Sequence, residues 1–156
     1  MTSWYQRKRT RELAKFFQAP ADATQREHVL APNEVVTQVS LSAAAGVASA
    51  SYEVRHKQSY DWPLAHAVVA FKLDGGRATD VQVVLGHVAP TPLVSEAAAR
   101  ILEGKEVTDE RAAAAGQAAC EGAKPLSDNG YKVKLLAVAV KRAALTAAGA
   151  KKYWEE

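Results

Sequence analysis

The sequence predicts an α+β fold: an antiparallel sheet of three to four strands packed on a layer of three helices. Three observations predict it. Apolar residues alternate with period two in runs between about residues 35 and 88 and repeat at helical spacing after Pro92. A compact hairpin signal, Asp74-Gly75-Gly76-Arg77, sits between two β-rich runs. Strands precede helices instead of alternating with them, which argues for a segregated architecture and not for a parallel βαβ sheet.

The elements follow in order. Residues 18–33 are polar and turn-rich, with Pro20, Asp22, Thr24, Pro32 and Asn33. Val35, Thr37, Val39 and Leu41 then alternate with Val36, Gln38, Ser40 and Ser42, a strand pattern. Small residues follow, ending in Gly46, and a second strand is expected from Ala48 to Lys57. His66–Leu73 and Ala78–Val88 form the hairpin arms, joined by glycines that accept the positive φ of a tight turn. Gly86 beside His87 marks a bulge or a close backbone approach.

After Pro90-Thr91-Pro92 the period becomes helical. Ser95 caps a helix that runs to Glu103 and stops at Gly104; Thr108 caps a second that runs to about Glu121 and stops at Gly122. Ser127-Asp128-Asn129 precede a third helix, Tyr131 to Ala148, and read as its N-cap. Val133, Leu136, Val140 and Ala144 form its inner face, widened by Leu135, Val138 and Leu145.

At 156 residues the chain is long enough for one domain with a genuine core. Its hydrophobic share of 48% and charged share of 24% are those of an ordinary globular protein. Much of that apolar share is alanine, which buries little area, so Leu, Val, Trp, Phe and Tyr are expected to supply most of the hydrophobic stabilisation.

A net charge of +3 is too small to argue for nucleic acid. The basic start (Arg7, Lys8, Arg9, Arg11, Lys15) reads as a solvated end, because runs of this length carry little information by themselves. No stretch has the length and apolarity of a signal peptide or a membrane span. That points to the cytoplasm, with a periplasmic location through an exported partner left open. The single cysteine, Cys120, excludes an intrachain disulfide and a cysteine-ligated cluster made by this chain alone; in an alanine-rich helix it reads as a small core residue.

Few residues carry a pattern that points to chemistry. Gly75-Gly76 lies in a hairpin turn and not between a strand and a helix, so it matches neither a dinucleotide fingerprint nor a P-loop. His28, His56, His66 and His87 share no metal-ligand spacing, although His66 and His87 can approach each other across the hairpin. Trp62 beside Tyr60 reads as a core aromatic at a strand entrance, with stacking on a ring-shaped ligand as the other reading.

Several runs nonetheless resemble one family in the right order. Leu85-Gly86-His87-Val88-Ala89-Pro90-Thr91-Pro92 resembles the LGGVAPTP turn of the flavin-binding subunits of molybdenum hydroxylases, the carbon monoxide dehydrogenase, xanthine dehydrogenase and aldehyde oxidoreductase flavoproteins. Leu30 to Glu34 resembles the LxPxE entry to the last strand of the flavin domain. Tyr52 to Asp61 resembles the YxKxRxRxSxD segment. Pro125 to Lys132 resembles the PLxDNxxK helix start and Arg142-Ala143-Ala144-Leu145 the RAL ending, a pattern most similar to the periplasmic aldehyde oxidoreductase branch.

The resemblance covers roughly residues 16–146. It implies residues 1–47 as a basic segment and remnant of an FAD-binding domain, 48–149 as the family's C-terminal domain, and 150–156 as a tail. It also implies FAD in the complete subunit, and electron transfer from a molybdenum centre through iron–sulfur clusters to that flavin. The implied partners are molybdopterin-binding and iron–sulfur subunits, with self-association through the uncovered strand as a further expectation.

The glycine-rich loops that hold the flavin pyrophosphate in the family lie in preceding subdomains and are not among these residues. The chain is therefore expected neither to retain FAD nor to catalyse alone; a free-standing interaction module that has lost the flavin role is the alternative. Two positions are implied as cofactor contacts: Val36, a strand position near the flavin, and Glu53, where the family often carries a lysine beside the flavin phosphate. A carboxylate repels a phosphate, so the Glu53 contact is a departure from the pattern.

Overall fold

The computed structural model describes residues 8–57 and 60–150; the expectations for the chain start around Trp4 and Arg7 and for the 150–156 tail fall largely outside that range. The chain divides into two compact units, Met1–Leu41 and Ser42–Glu156.

The first unit is held by local contacts. A short 3-10 helix spans Leu13–Lys15, and Phe17 and His28 form an isolated antiparallel bridge. The Phe16 ring stacks on His28 at 6.0 Å, and His28 Nδ1 accepts from the Leu30 amide. Glu34 folds back on its own turn, accepting from the Ala31 amide at 2.7 Å and pairing with Arg9. That amide bond, the Arg9 bond and the Arg9 charge hold the Glu34 carboxyl below its ordinary range. The strand expected over residues 35–42 does not form. Val35, Val36, Val39 and Leu41 are 79%, 54%, 69% and 85% exposed, so among the described residues the alternating pattern finds neither a neighbouring strand nor a layer to bury its apolar side.

The second unit carries the predicted architecture. Three long strands, β1 (Val47–Val54), β2 (Ala65–Asp74) and β3 (Arg77–Gly86), pair antiparallel in sequence order. Two additions of two residues each, β4 (Leu93–Val94) and β5 (Lys105–Glu106), pair with opposite ends of β3. The β2–β3 turn closes on the Asp74–Arg77 pair, and both central glycines have positive φ (+55° and +80°), the handedness that matches strand twist.

Between Ala70–Gln82 and Lys72–Thr79 the register shifts, placing Asp80 and Val81 opposite Phe71. Asp80 sits at φ +55° in this bulge. The Glu103 carboxylate accepts from both displaced amides, Asp80 at 3.2 Å and Val81 at 2.9 Å.

The helices are α1 (Glu96–Leu102), α2 (Asp109–Ala119) and α3 (Tyr131–Ala147). Ser95 and Thr108 cap α1 and α2 as expected, each accepting from the amide three residues on. The third start differs: Gly130 is the N-cap and no side chain caps it. Asn129 Oδ1 instead accepts from the Leu126 amide at 2.7 Å and closes the turn ahead of the helix, while Ser127 bonds Asp128.

One sheet face packs on the helices. Along β2, Ala65, Ala67, Val69 and Phe71 are buried while the residues between them are half-buried. They meet Val83 and Leu85 of β3, Leu102 of α1, Ala112 and Ala115 of α2, and Leu136 and Val140 of α3. Alanines are the most numerous of the fully buried apolar residues, while the largest fully buried side chains are Phe71, Leu85, Leu102, Val69, Val83 and Val140. Helices α2 and α3 approach closely at one point: a Cβ on Gly116 would lie 2.3 Å from the Ala137 carbonyl oxygen. At that separation only small side chains fit.

Trp62, expected in the core, is 82% exposed, Tyr60 is also outside, and Val138 points away from the inner face of α3. Cys120 is half-buried at the end of α2, packed against the core with Sγ 3.2 Å from the Val133 carbonyl oxygen; burial pushes its thiol up. Among the described residues no helix is long and apolar enough to cross a membrane.

Candidate functional site

The groups with chemical potential gather at one corner of the sheet, where β1 ends, β2 begins and β3 ends. Antiparallel register makes them a row: Glu53 lies opposite His66, and His66 lies opposite Gly86. Alternation along β2 sends Ala65 and Ala67 into the core, so His66 projects from the other face with Glu53 beside it.

The Glu53 carboxylate pairs through Oε2 with Arg55, just past the strand end. Its other oxygen, Oε1, lies 3.9 Å from His66 Nε2. That distance is beyond a hydrogen bond. His66 Nε2 is shielded from solvent and has no hydrogen-bond partner. Burial, and then the charges of His87 and Arg55, push the His66 pKa below its ordinary value. Gly86 makes room for this ring, since a Cβ there would lie 3.1 Å from His66 Nδ1. The close backbone approach expected at Gly86 is therefore an approach to a side chain.

His87 occupies φ +60°, a left-handed conformation that histidine tolerates less well than glycine. This is the second glycine position of the LGGVAPTP-like turn. Its ring lies 6.2 Å from His66 and 6.0 Å from Trp62, so the two histidines do approach across the hairpin. The His87 carbonyl accepts from Lys132 Nζ at 2.7 Å, which ties the turn to the first turn of α3. Among the described residues no three His, Cys, Asp or Glu side chains are placed to hold a metal.

The two positions singled out for the flavin lie in different units. Val36 is in the exposed extended segment of the first, and Glu53 in the sheet corner of the second. Neither borders the two hollows that follow. A hollow of about 200 Å³ in the second unit is bounded by Leu85, Val88, Leu93, Pro125, Lys132 and Val133, and an open groove of about 580 Å³ in the first is bounded by Arg9, His28, Leu30 and Glu34 among others. With its carboxylate engaged by Arg55, Glu53 offers a phosphate no donor.

Sequence reading missed a second contact: Arg142 of α3 donates to the Tyr52 hydroxyl and lies over the Tyr52 ring, 5.0 Å from its centroid. Both residues sit in segments that carry the family resemblance, which is the only signal that singles them out.

Comparison with known proteins agrees with this architecture. Residues 50–147 match the family described as CO dehydrogenase flavoprotein C-terminal domain. The chain is 35% identical over 119 residues to the carbon monoxide dehydrogenase medium chain of Hydrogenophaga pseudoflava, which spans 74% of this chain and 42% of that relative. Among solved structures it is similar to carbon monoxide dehydrogenase from the same organism (36% identity, TM-score 0.60, covering 68% of this chain and 38% of that one). It is also similar to quinoline 2-oxidoreductase from Pseudomonas putida 86 (26% identity, TM-score 0.62, covering 66% and 37%). The chain thus spans about two-fifths of the length of these relatives. With the sheet, the three helices and the turn at Leu85–Pro92 in the expected order, the chain belongs to the CO dehydrogenase flavoprotein C-terminal domain family.

Proposed function

We propose that the chain is the C-terminal portion of the FAD-binding, electron-transfer subunit of a molybdenum hydroxylase. One observation carries the reading: the complete sheet-and-helix unit coincides with the family match over residues 50–147. In this role the unit is a rigid wall and docking block beside the flavin half of a subunit, with molybdopterin-binding and iron–sulfur subunits as partners. The division into a flavin-domain remnant (1–47), the C-terminal domain (48–149) and a tail (150–156) belongs to the same proposal. So do flavin contacts at Val36 and Glu53, the latter only after its carboxylate leaves Arg55.

By this reading the isolated chain neither retains FAD nor turns over substrate, because no glycine-rich loop ahead of a helix cradles a pyrophosphate. The absorbance spectrum of the purified chain, alone and mixed with the flavin-domain and partner chains, tests it. A flavin spectrum that is absent alone and present in the assembled mixture supports the role. Near-stoichiometric flavin on the chain alone overturns the first part, and failure to join any such assembly overturns the second.

The Glu53–Arg55 pair favours one further reading, a free-standing interaction module whose flavin role is lost. The exposed Val35, Val36, Val39 and Leu41 then serve self-association. Sedimentation over a concentration series separates the two, since a chain that remains monomeric throughout has no such role for that segment.

A further inference from the structure

The row Glu53–His66–Gly86 holds an arrangement that a flavoprotein role neither requires nor explains. Glu53 has two carboxylate oxygens and two basic neighbours. Oε2 is taken by Arg55, whereas Oε1 faces His66 Nε2 across 3.9 Å with no bond formed. That nitrogen is out of solvent and has no other acceptor. The imidazole is kept in place by the lack of a side chain at Gly86, where a Cβ would press on Nδ1 at 3.1 Å.

We propose that His66 is a proton-operated clamp: on protonation its Nε2–H closes onto Glu53 Oε1, forming an Arg55–Glu53–His66 bridge and turning a charge-balanced sheet corner cationic. The proton comes from solvent. No covalent bond changes, and the movement required is about 1 Å, from the observed separation to a charge-assisted hydrogen bond of roughly 2.8 Å.

The charges facing His66 can be enumerated by element. From β1 and its end come Glu53, which favours the proton, and Arg55, which opposes it. From the turn after β3 comes His87, which opposes it, with the Lys132 ammonium of α3 held on the His87 carbonyl behind. Burial also opposes protonation, so the clamp is open at neutral pH and closes only below the ordinary imidazole range. The clamp uses only residues of this unit, and it competes with the flavin contact proposed for Glu53, which needs the carboxylate free of Arg55.

Long-range proton–nitrogen NMR spectra of the whole chain between about pH 8 and about pH 5 test it, read on the imidazole and guanidinium nitrogens. In the unaltered chain His66 should titrate below about 6.5, and the Arg55 guanidinium signal should move with the same midpoint. In Glu53→Gln the His66 midpoint should drop by a further half unit or so, and the Arg55 signal should cease to follow it. The conservative amide keeps the shape of the side chain, and the unaltered chain supplies an independent readout. An Arg55 signal indifferent to the His66 step, or an unchanged His66 midpoint in Glu53→Gln, overturns the clamp.

Discussion

Residues 35–42 and residues 65–74 both alternate apolar with polar or small side chains, and only the second run is a strand. Along β2 every second side chain from Ala65 to Phe71 joins the core with the helices, and β1 and β3 pair with its backbone. Along Val35–Leu41 the apolar side chains stand in solvent, and no residue between positions 8 and 41 is fully buried. Periodicity states how a segment can be buried. Whether it is buried depends on a second layer and on neighbouring strands, neither of which the segment carries in its own letters.

The sharpest way to break this comparison is to delete equivalent apolar groups from each run. Phe71→Ala should cost about 3–5 kcal/mol, whereas Val35→Ala should stay within about 0.5 kcal/mol. Urea unfolding of the two variants checks this, and hydrogen exchange on the unaltered chain should show β2 amides protected and those of 35–42 open. A comparable loss from both variants would mean that the segment is packed after all.

The next effect falls on the helix crossing. Gly116→Ala places a methyl against the Ala137 carbonyl, which is backbone and cannot swing aside, so α2 and α3 must separate. A loss of about 1–3 kcal/mol is expected in thermal or urea unfolding. A neutral result would show that the crossing relaxes freely.

Smaller again is Glu103→Gln, which weakens the grip on the two bulge amides and should cost about 1 kcal/mol. Exchange at Asp80 and Val81 should rise in that variant while exchange at Ala67 and Val69 stays unchanged.

The smallest effect is a pH dependence of the second unit. The folded-state pKa of His66 is depressed, so between the ordinary imidazole value and the lower folded one the unfolded chain binds more protons. Stability contributed by a neutral His66 is therefore full at neutral pH. It is lost as pH falls from about 6.5 through the folded value. His66→Gln should flatten that part of the stability curve, and urea midpoints measured across it check the sign.

Much of the second unit was legible. Asp74-Gly75-Gly76-Arg77 defined its hairpin because two positive φ values leave few alternatives, and Ser95 and Thr108 marked helix starts because a short oxygen-bearing side chain ahead of a helical run has a specific job there. Leu93–Val94 and Lys105–Glu106 were not legible, since two residues show no period. Trp62 misled because size suggests burial, and nothing local shows that its neighbours turn outward.

At the candidate site, Glu53 was singled out by resemblance alone. Arg55, two residues on, shares its face by simple alternation, whereas His66 follows from the β1–β2 register, which a sequence does not display. The His66–His87 approach was legible because one tight hairpin fixes both positions.

The close approach of α2 and α3 at Gly116 and Ala137 has an entropic counterpart. Alanine has no rotamers to lose, so ordering the buried Ala112, Ala115, Ala139 and Ala143 of these two helices carries almost no side-chain entropy penalty. What the core gives up in buried area at these positions it recovers in part by leaving almost no side-chain freedom to freeze out on folding.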